Sequence, residues 1–292
     1  LINDSSFSKL GIVGIGLIGG SIAKGVRQKL GDNIQIVGVD SDQEVVNSAL
    51  NSNIFNHVSS DLRTLEICDF VVMCVPPKTG LQVLDSLSMV LGPGTSITDT
   101  SSTKRQICNM AWGKYAGKLD FVGSHPMAGK EASGYGHSDP QLFNGCNWFI
   151  CYKGQDSAAL QRLEELIFLL DAKPYYITPE DHDRIVAGSS HLAFVLSSAF
   201  ISALHTSAYW EEIRQTAGTG FRDMTRLAAG NSRMYAEIVQ TNSDEILAWL
   251  EVLKSQLNDF EKLILSGDGE SLTNWFEQAY LSRHSWMNNK PW

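Results

Sequence analysis

The sequence predicts an α/β fold in which a doubly wound, mostly parallel sheet is followed by an all-helical C-terminal domain. Three observations carry this. Short apolar runs alternate with helix-spaced segments as far as residue 178, a glycine-rich turn follows the first of those runs, and seven of the eight prolines fall at or before Pro179, the eighth being Pro291. The 292 residues allow two domains, placed at 1–178 and 179–292, each long enough to bury a core of its own.

The runs KLGIVGIG, NIQIVGVD, CDFVVMCV, GTSITDT and LDFVGS are continuous and rich in Val and Ile, as strands buried on both faces are. A half-exposed strand would alternate. SIAKGVRQKL, SDQEVVNSAL and TGLQVLDSLSMVL carry apolar residues at helical spacing between them, so the chain crosses over and the strands run parallel. NWFICYK and AKPYYIT add later strands flanking the helix SAALQRLEELIFLL. Pro179 then opens a helix with Glu180 and Asp181 at its positive end. IVAGSSHLAFVLSSAFISALH, MYAEIVQTNSDEILAWLEVLKSQLNDFEKLIL and SLTNWFEQAYL read as helices, several apolar on more than one face. Such helices pack in bundles or against another subunit. Trp249, Leu250, Leu253, Leu257, Phe260 and Leu263 make a long stripe that predicts a homodimer.

A net charge of −9 and a pI near 5.2, with no Lys/Arg cluster, repel phosphate backbones, so small molecules are expected as partners and nucleic acid is not. Cys68, Cys74, Cys108, Cys146 and Cys151 are odd in number and show no C-x-x-C spacing, as free thiols in a reducing cytoplasm would. LINDSSFSK lacks the pattern of a secretion signal, and no stretch approaches about 18 uninterrupted apolar residues. The expectation is a cytoplasmic protein without a membrane span.

Gly14, Gly16 and Gly19 form G-x-G-x-x-G directly after the strand Leu10 to Val13, where a helix opens. Glycines at this spacing also make plain tight turns, but the strand-to-helix setting is that of a Rossmann-type dinucleotide site. The first glycine permits the turn, the second lets the backbone approach a pyrophosphate, and the third lets helix pack on strand. The amides of the first helical turn, from Leu17 and Ile18 onward, would hold the anion. Asp40 ends the second strand, 21 residues past Gly19, where a carboxylate can bind ribose hydroxyls and repel a 2′-phosphate. NAD is favoured over NADP. Ligands sit beyond the carboxyl ends of parallel strands, so the loops CVPPKTG, with Val75 and Pro76, and TDTSSTK should border the cofactor. His125, in GSHPMAG, lies on that same edge, held in extended backbone by Pro126.

In this order, GIGLIGGS, the acidic end of strand two, CVPP, TDTSSTK, GSHPMAG, SSHLAF and GTGFRDMTRLAAGN resemble the prephenate and arogenate dehydrogenases, which oxidise a cyclohexadienol in tyrosine biosynthesis. The resemblance runs from about residue 9 to 280, and HPMAG with GFRDMTR is its specific part. It implies that His125 is the catalytic base, that Ser102 orients histidine and nicotinamide, and that Arg226 and His191 contact substrate. Arg222 becomes a secondary contact or pairs with Asp223. A base at His125 would make kcat fall in acid with an apparent pKa of about 6 to 7. Two departures stand out. Ser190-His191-Leu192-Ala193-Phe194 lacks the proline and second histidine of many relatives, and Lys130 stands where threonine is frequent.

Plainer roles compete. His125 could be structural, His191 could be a core histidine, and Ser102 could cap a helix starting near Thr103. Asp181-His182-Asp183 reads as a charged first helical turn. His57, His137, His182, His205 and His284 show no ligand spacing, so no metal is proposed. A beta-hydroxyacid dehydrogenase would share both halves, yet it works through a helix lysine, and residues 182–205 contain none. A non-catalytic NAD(H) redox sensor would leave His125, Ser102 and Arg226 without purpose.

Overall fold

The continuous apolar runs lie side by side as parallel strands, since only a strand covered on both faces can use so many consecutive Val and Ile residues. A computed structural model of the chain describes residues 6–288 apart from Glu131 and Gln155. Among the described residues, β1 (Lys9–Val13), β2 (Gln35–Val39), β3 (His57–Ser59), β4 (Phe70–Met73), β5 (Ser96–Asp99), β6 (Asp120–Pro126), β7 (Asn147–Cys151) and β8 (Lys173–Tyr176) form one sheet in the order β3-β2-β1-β4-β5-β6-β7-β8. Every pairing is parallel except β6 with β7, which sets His125 opposite Phe149.

Five helices cover the two faces: α1 (Leu17–Leu30), α2 (Gln43–Leu50), α3 (Pro77–Val90), α4 (Arg105–Gly113) and α5 (Ala158–Leu169). Ile22 and Val26 of α1, Val46 of α2 and Leu163 and Ile167 of α5 meet Ile12, Ile36 and Val72 on one face. Leu84 and Leu87 of α3 and Ile107 of α4 meet Val13, Val71, Met73 and Ile97 on the other. Alternate residues of each strand thus enter separate cores, which is why the strands do not alternate in polarity.

The glycine turn behaves as its spacing predicts. Gly14 has φ +88, and a Cβ there would lie 2.5 Å from the Cys74 carbonyl oxygen. A Cβ on Gly19 would sit 2.1 Å from the Gly14 carbonyl oxygen, whereas one on Gly16 would meet open space. The first and third glycines are demanded by packing. The second is demanded by nothing in the protein itself.

Past the sheet the chain is helical: α6 (Pro179–Val186), a single π turn at Ala187–His191, α7 (Leu192–His205), α8 (Trp210–Thr216), α9 (Thr219–Thr225), a 3-10 turn at Arg226–Ala229, α10 (Ser232–Thr241), α11 (Ser243–Ser266) and α12 (Gly269–Asn288). Thr178 caps α6 through its side chain, which accepts from the Asp181 N–H at 3.1 Å.

Two expected helices are not continuous. The run through MYAEIVQTNSDEIL breaks at Asn242 (φ −138, ψ 34), whose amide bonds elsewhere, as Asn side chains do when they compete with the helix. Asp244 and Glu245 then sit at the positive end of the new helix α11. The run through IVAGSSHLAF is interrupted by the π turn. The segment Pro179–His205 is nevertheless long and apolar enough to cross a bilayer by length and composition, and 28% of its most apolar window is buried inside the chain.

The apolar stripe of α11 is only partly free. Trp249 packs over Gly188 and donates from Nε1 to the Arg184 carbonyl at 3.1 Å, and the Phe260 ring lies tilted against Trp275 at 4.6 Å between centroids. Leu257, by contrast, is 58% exposed and Leu265 79%.

Replacing Gly19 by alanine should cost about 1–3 kcal/mol of stability through overpacking, while Gly16→Ala should stay within about 1 kcal/mol of wild type. Urea unfolding checks both, and equal losses would contradict the assignment of distinct roles to the two glycines.

Candidate active site

Two strand ends and one helix build the site. β6 delivers His125 at its carboxyl end, next to the loop that follows β5, and α6 lays His182 and Asp183 against both. Pro179, His182, Asp183 and Val186 are the buried residues of α6. Their spacing of three and four is that of a helix face turned inward.

The Asp183 carboxylate is fully buried and accepts from the backbone N–H of Lys104 (Oδ1, 2.7 Å) and of Arg105 (Oδ2, 3.0 Å), so it caps α4 from a distant segment. Its Oδ1 also lies 2.8 Å from His182 Nδ1. Desolvation raises the Asp183 pKa above the ordinary carboxyl value, opposed by the Lys104 and Arg105 backbone N–H groups. With those donors converging, the group acts as an acceptor, and His182 Nδ1 must carry the proton. His182 Nε2 is then a bare acceptor. It lies 3.0 Å from His125 Nδ1, which therefore donates, leaving His125 Nε2 with a free lone pair.

The electrostatics agree with neutral rings. Burial pushes the pKa of His125 well below 6.5, followed in effect by His182, the Lys104 cation and His191. His182 is likewise held low by burial and then by Lys104. Lys104 is fully buried and ion-paired with Asp99 beneath β6, a fixed positive charge close to both rings. Phe149 stands at right angles to His182, 5.1 Å between centroids, and excludes water from that side.

His191 is buried at the end of the π turn, and its pKa is pushed down to about 4 by burial, against the raising influence of Asp183 and of the Ser102 backbone. Ser102 sits on the loop after β5 beside this cluster and makes no side-chain cap. The alternative of a capping serine is corrected, because α4 begins at Arg105 and Asp183 caps it. Arg226 opens the 3-10 turn after α9 and is exposed. That turn is held to the site indirectly. Phe194 stacks on Tyr235 (4.0 Å, 5° between planes), whose hydroxyl donates to the Leu227 carbonyl at 3.0 Å. The ring that replaces the second histidine of many relatives is thus a packing residue. Arg222 pairs with Asp223 at 3.5 Å and Lys130 with Asp139 at 2.8 Å.

Opposite this cluster lies the glycine turn. Gly16 leads into α1 without a side-chain cap, leaving the first-turn amides of Leu17, Ile18 and Gly19 to an anion. Asp40 accepts from the Ile15 N–H at 2.7 Å and the Asp42 N–H at 3.0 Å, at the end of β2 beside that turn. Val75 touches the Gly14 position, and Pro76 precedes α3.

Two family descriptions match the chain, "Prephenate dehydrogenase, nucleotide-binding domain" over residues 22–176 and "Prephenate dehydrogenase, dimerization domain" over 178–278. The chain belongs to the prephenate dehydrogenase family. The prephenate dehydrogenase of Lactococcus lactis is 30% identical over 93% of this chain and 75% of its own length. Among solved structures, Aquifex aeolicus prephenate dehydrogenase in complex with hydroxyphenyl propionate and NAD+ has a TM-score of 0.89 at 27% identity, covering 95% of this chain and 98% of that one. Synechocystis arogenate dehydrogenase has a TM-score of 0.81 at 28% identity, covering 95% and 99%.

Sequence reasoning missed His182 and Asp183, which it read as part of a charged first turn. Their spacing to Val186, and onward to His191 and Phe194, was the available signal of an inward face. Asn242 was hidden inside an expected helix, although Asn followed by Ser-Asp-Glu is a helix-start pattern.

Three neutral histidines, His182 and His191 buried and His125 half-buried, make the fold acid-sensitive. Below about pH 6.5 the unfolded chain takes up protons that the folded histidines refuse, so stability is full above that pH. It is lost on acidification by up to about 1.4 kcal/mol per pH unit per histidine. The raised pKa of Asp183 works in the opposite direction, but only nearer the carboxyl range. Urea midpoints should fall from pH 7 to pH 5, with a shallower slope for His182→Gln. A flat profile in wild type would contradict this.

Proposed function

We propose that the protein catalyses NAD-dependent oxidative decarboxylation of prephenate, arogenate or both, in tyrosine biosynthesis. The observation that carries this is the chain from Asp183 through His182 to His125, which leaves a basic lone pair on His125 Nε2 at the sheet edge that also holds the glycine turn. The Aquifex relative binds NAD+ and a hydroxyphenyl compound on the same architecture. Here Gly14, Gly16, Gly19, the Leu17 and Ile18 amides, Asp40, Val75 and Pro76 would hold NAD, and the carboxylate of Asp40 disfavours the 2′-phosphate of NADP.

Bound NAD+ accepts the hydride from the ring carbon that bears the hydroxyl. His125 Nε2 takes the hydroxyl proton as the carbonyl forms. The resulting imidazolium keeps its Nδ1–H on His182, and the Asp183 carboxylate balances the charge one ring further away. The ring carboxylate leaves as carbon dioxide, and its bonding pair completes the aromatic ring and ends on the oxygen, which recovers the proton from His125. Ser102 orients the base, and His191 and Arg226 contact substrate. A guanidinium suits a substrate carboxylate because its fork binds both oxygens and never deprotonates. The division of labour follows the boundary near residue 178, with cofactor held before it and substrate largely after it.

The test is NADH formation from each substrate. His125→Asn should lower kcat by about 10²- to 10⁴-fold with NAD binding retained. Because burial depresses the His125 pKa, the acidic limb of kcat/KM should lie below pH 6.5, lower than the range of about 6 to 7 expected from sequence. A variant that keeps its kcat and its acidic limb would remove His125 from the mechanism.

We read the assembly as a homodimer through α7, α11 and α12. Leu257, Leu265, Phe276 and Tyr280 leave a broad apolar surface that the chain does not cover itself, in the region matched by the dimerization domain. The five free thiols suit a reducing cytoplasm. Light scattering at micromolar concentration should give twice the 32.1 kDa chain mass, and a monomer would refute the dimer.

A further inference from the structure

Asn242 occupies the break between α10 and α11 and is fully buried. Its Nδ2 donates to the Asp183 carbonyl oxygen at 2.8 Å and lies 3.3 Å from His191 Nδ1. A backbone carbonyl can only accept, so the amide atom facing Asp183 must be the nitrogen, and the orientation of the amide follows. The same NH2 group then points its second hydrogen at His191 Nδ1. That ring nitrogen must be bare, and the proton of the neutral imidazole sits on Nε2.

Two atoms are left over. His191 Nε2 and Asn242 Oδ1 are buried and make no well-formed hydrogen bond among the described residues, although the Ser102 backbone lies close enough to the His191 ring to favour its protonated form. Orphaned buried polar groups are rare in native proteins, because each forfeits the hydrogen bond it had in water. The π turn accounts for how His191 comes to this place. Eight residues of α-helix would carry it roughly 80° around the axis from Asp183, and the wider turn takes up part of that rotation.

We propose that Asn242 is a positioning residue that fixes His191 as the Nε2–H tautomer, so that His191 presents a neutral hydrogen-bond donor to an oxygen of the cyclohexadienol substrate and takes no part in proton transfer. This rests on the functional reading above. It separates the site's two substrate-facing histidines by tautomer: His125 presents a bare Nε2 that accepts, and His191 presents a protonated Nε2 that donates. Burial holds His191 neutral, against Asp183 on α6 and the Ser102 backbone, which both favour its charged form, and the Phe194 ring lies 5.9 Å away between centroids.

The test uses the full-length protein labelled with 15N-histidine, with the His191 signals assigned by their loss in His191→Gln. Long-range proton–nitrogen correlation between pH 6 and 8 should show the proton on Nε2 and a bare Nδ1. In Asn242→Asp a carboxylate faces Nδ1 and should draw the proton there, with kcat/KM for prephenate or arogenate falling about 10- to 100-fold, chiefly through KM. A wild-type His191 protonated on Nδ1 or on both nitrogens would overturn the proposal, as would an Asn242→Asp enzyme whose kcat/KM stays within twofold. Should that variant not fold, the wild-type tautomer still decides. If wild type oxidises neither substrate, the functional reading fails, while the tautomer measurement stands on its own.

Discussion

One buried carboxylate organises the centre of this protein. Asp183 receives the backbone amides of Lys104 and Arg105 at the start of α4, the imidazole of His182 beside it, and, through its backbone carbonyl, the amide of Asn242. A carboxylate without such donors would be expelled from the interior or neutralised. Surrounded by them, it ties two halves of the chain to one point and sets the direction of every hydrogen bond that leads away from it. The proton positions on His182, His125 and His191 all follow from the fact that its oxygens, side chain and main chain alike, accept.

The same point is braced from outside. Arg105 holds Asp244 with both terminal nitrogens at 2.7 and 2.5 Å, Thr103 Oγ1 meets Thr241 Oγ1 at 3.0 Å, and the Lys78 N–H reaches the buried Glu237 carboxylate at 3.1 Å. These contacts join the starts of α3 and α4 to α10 and the start of α11, and the loop before α3 touches the glycine turn through Val75. The proposed base, built across such a boundary, has its geometry set by how the two halves meet. The irregular places in the helical half, the π turn and the break at Asn242, are where regular helix was given up so that His191 and Asn242 could face this seam.

Much of this is legible in the order of the amino acids. Strand burial, parallel order, the glycine roles, Asp40 beside the turn and His125 at the edge follow from local rules: apolar continuity, backbone sterics, and the placement of ligands at strand ends. Family resemblance adds Ser102, Arg226 and His191. What stays hidden shares one cause. His182, Asp183, Lys104 and Asn242 are polar residues that composition assigns to the surface, and each is fully buried because a distant segment satisfies it.

Sequence alone therefore determined the sheet, the nucleotide-binding turn and the identity of the proposed base, since these depend on neighbours within a few residues or on the period of a pattern. Tertiary structure decided the proton positions. Whether a histidine accepts or donates depends on which atom lies about 3 Å from each ring nitrogen. For His125 that atom belongs to a residue 57 positions away, and for His191 to one 51 positions away. No local pattern encodes a contact at that separation, because the chain meets itself there only after both halves have folded.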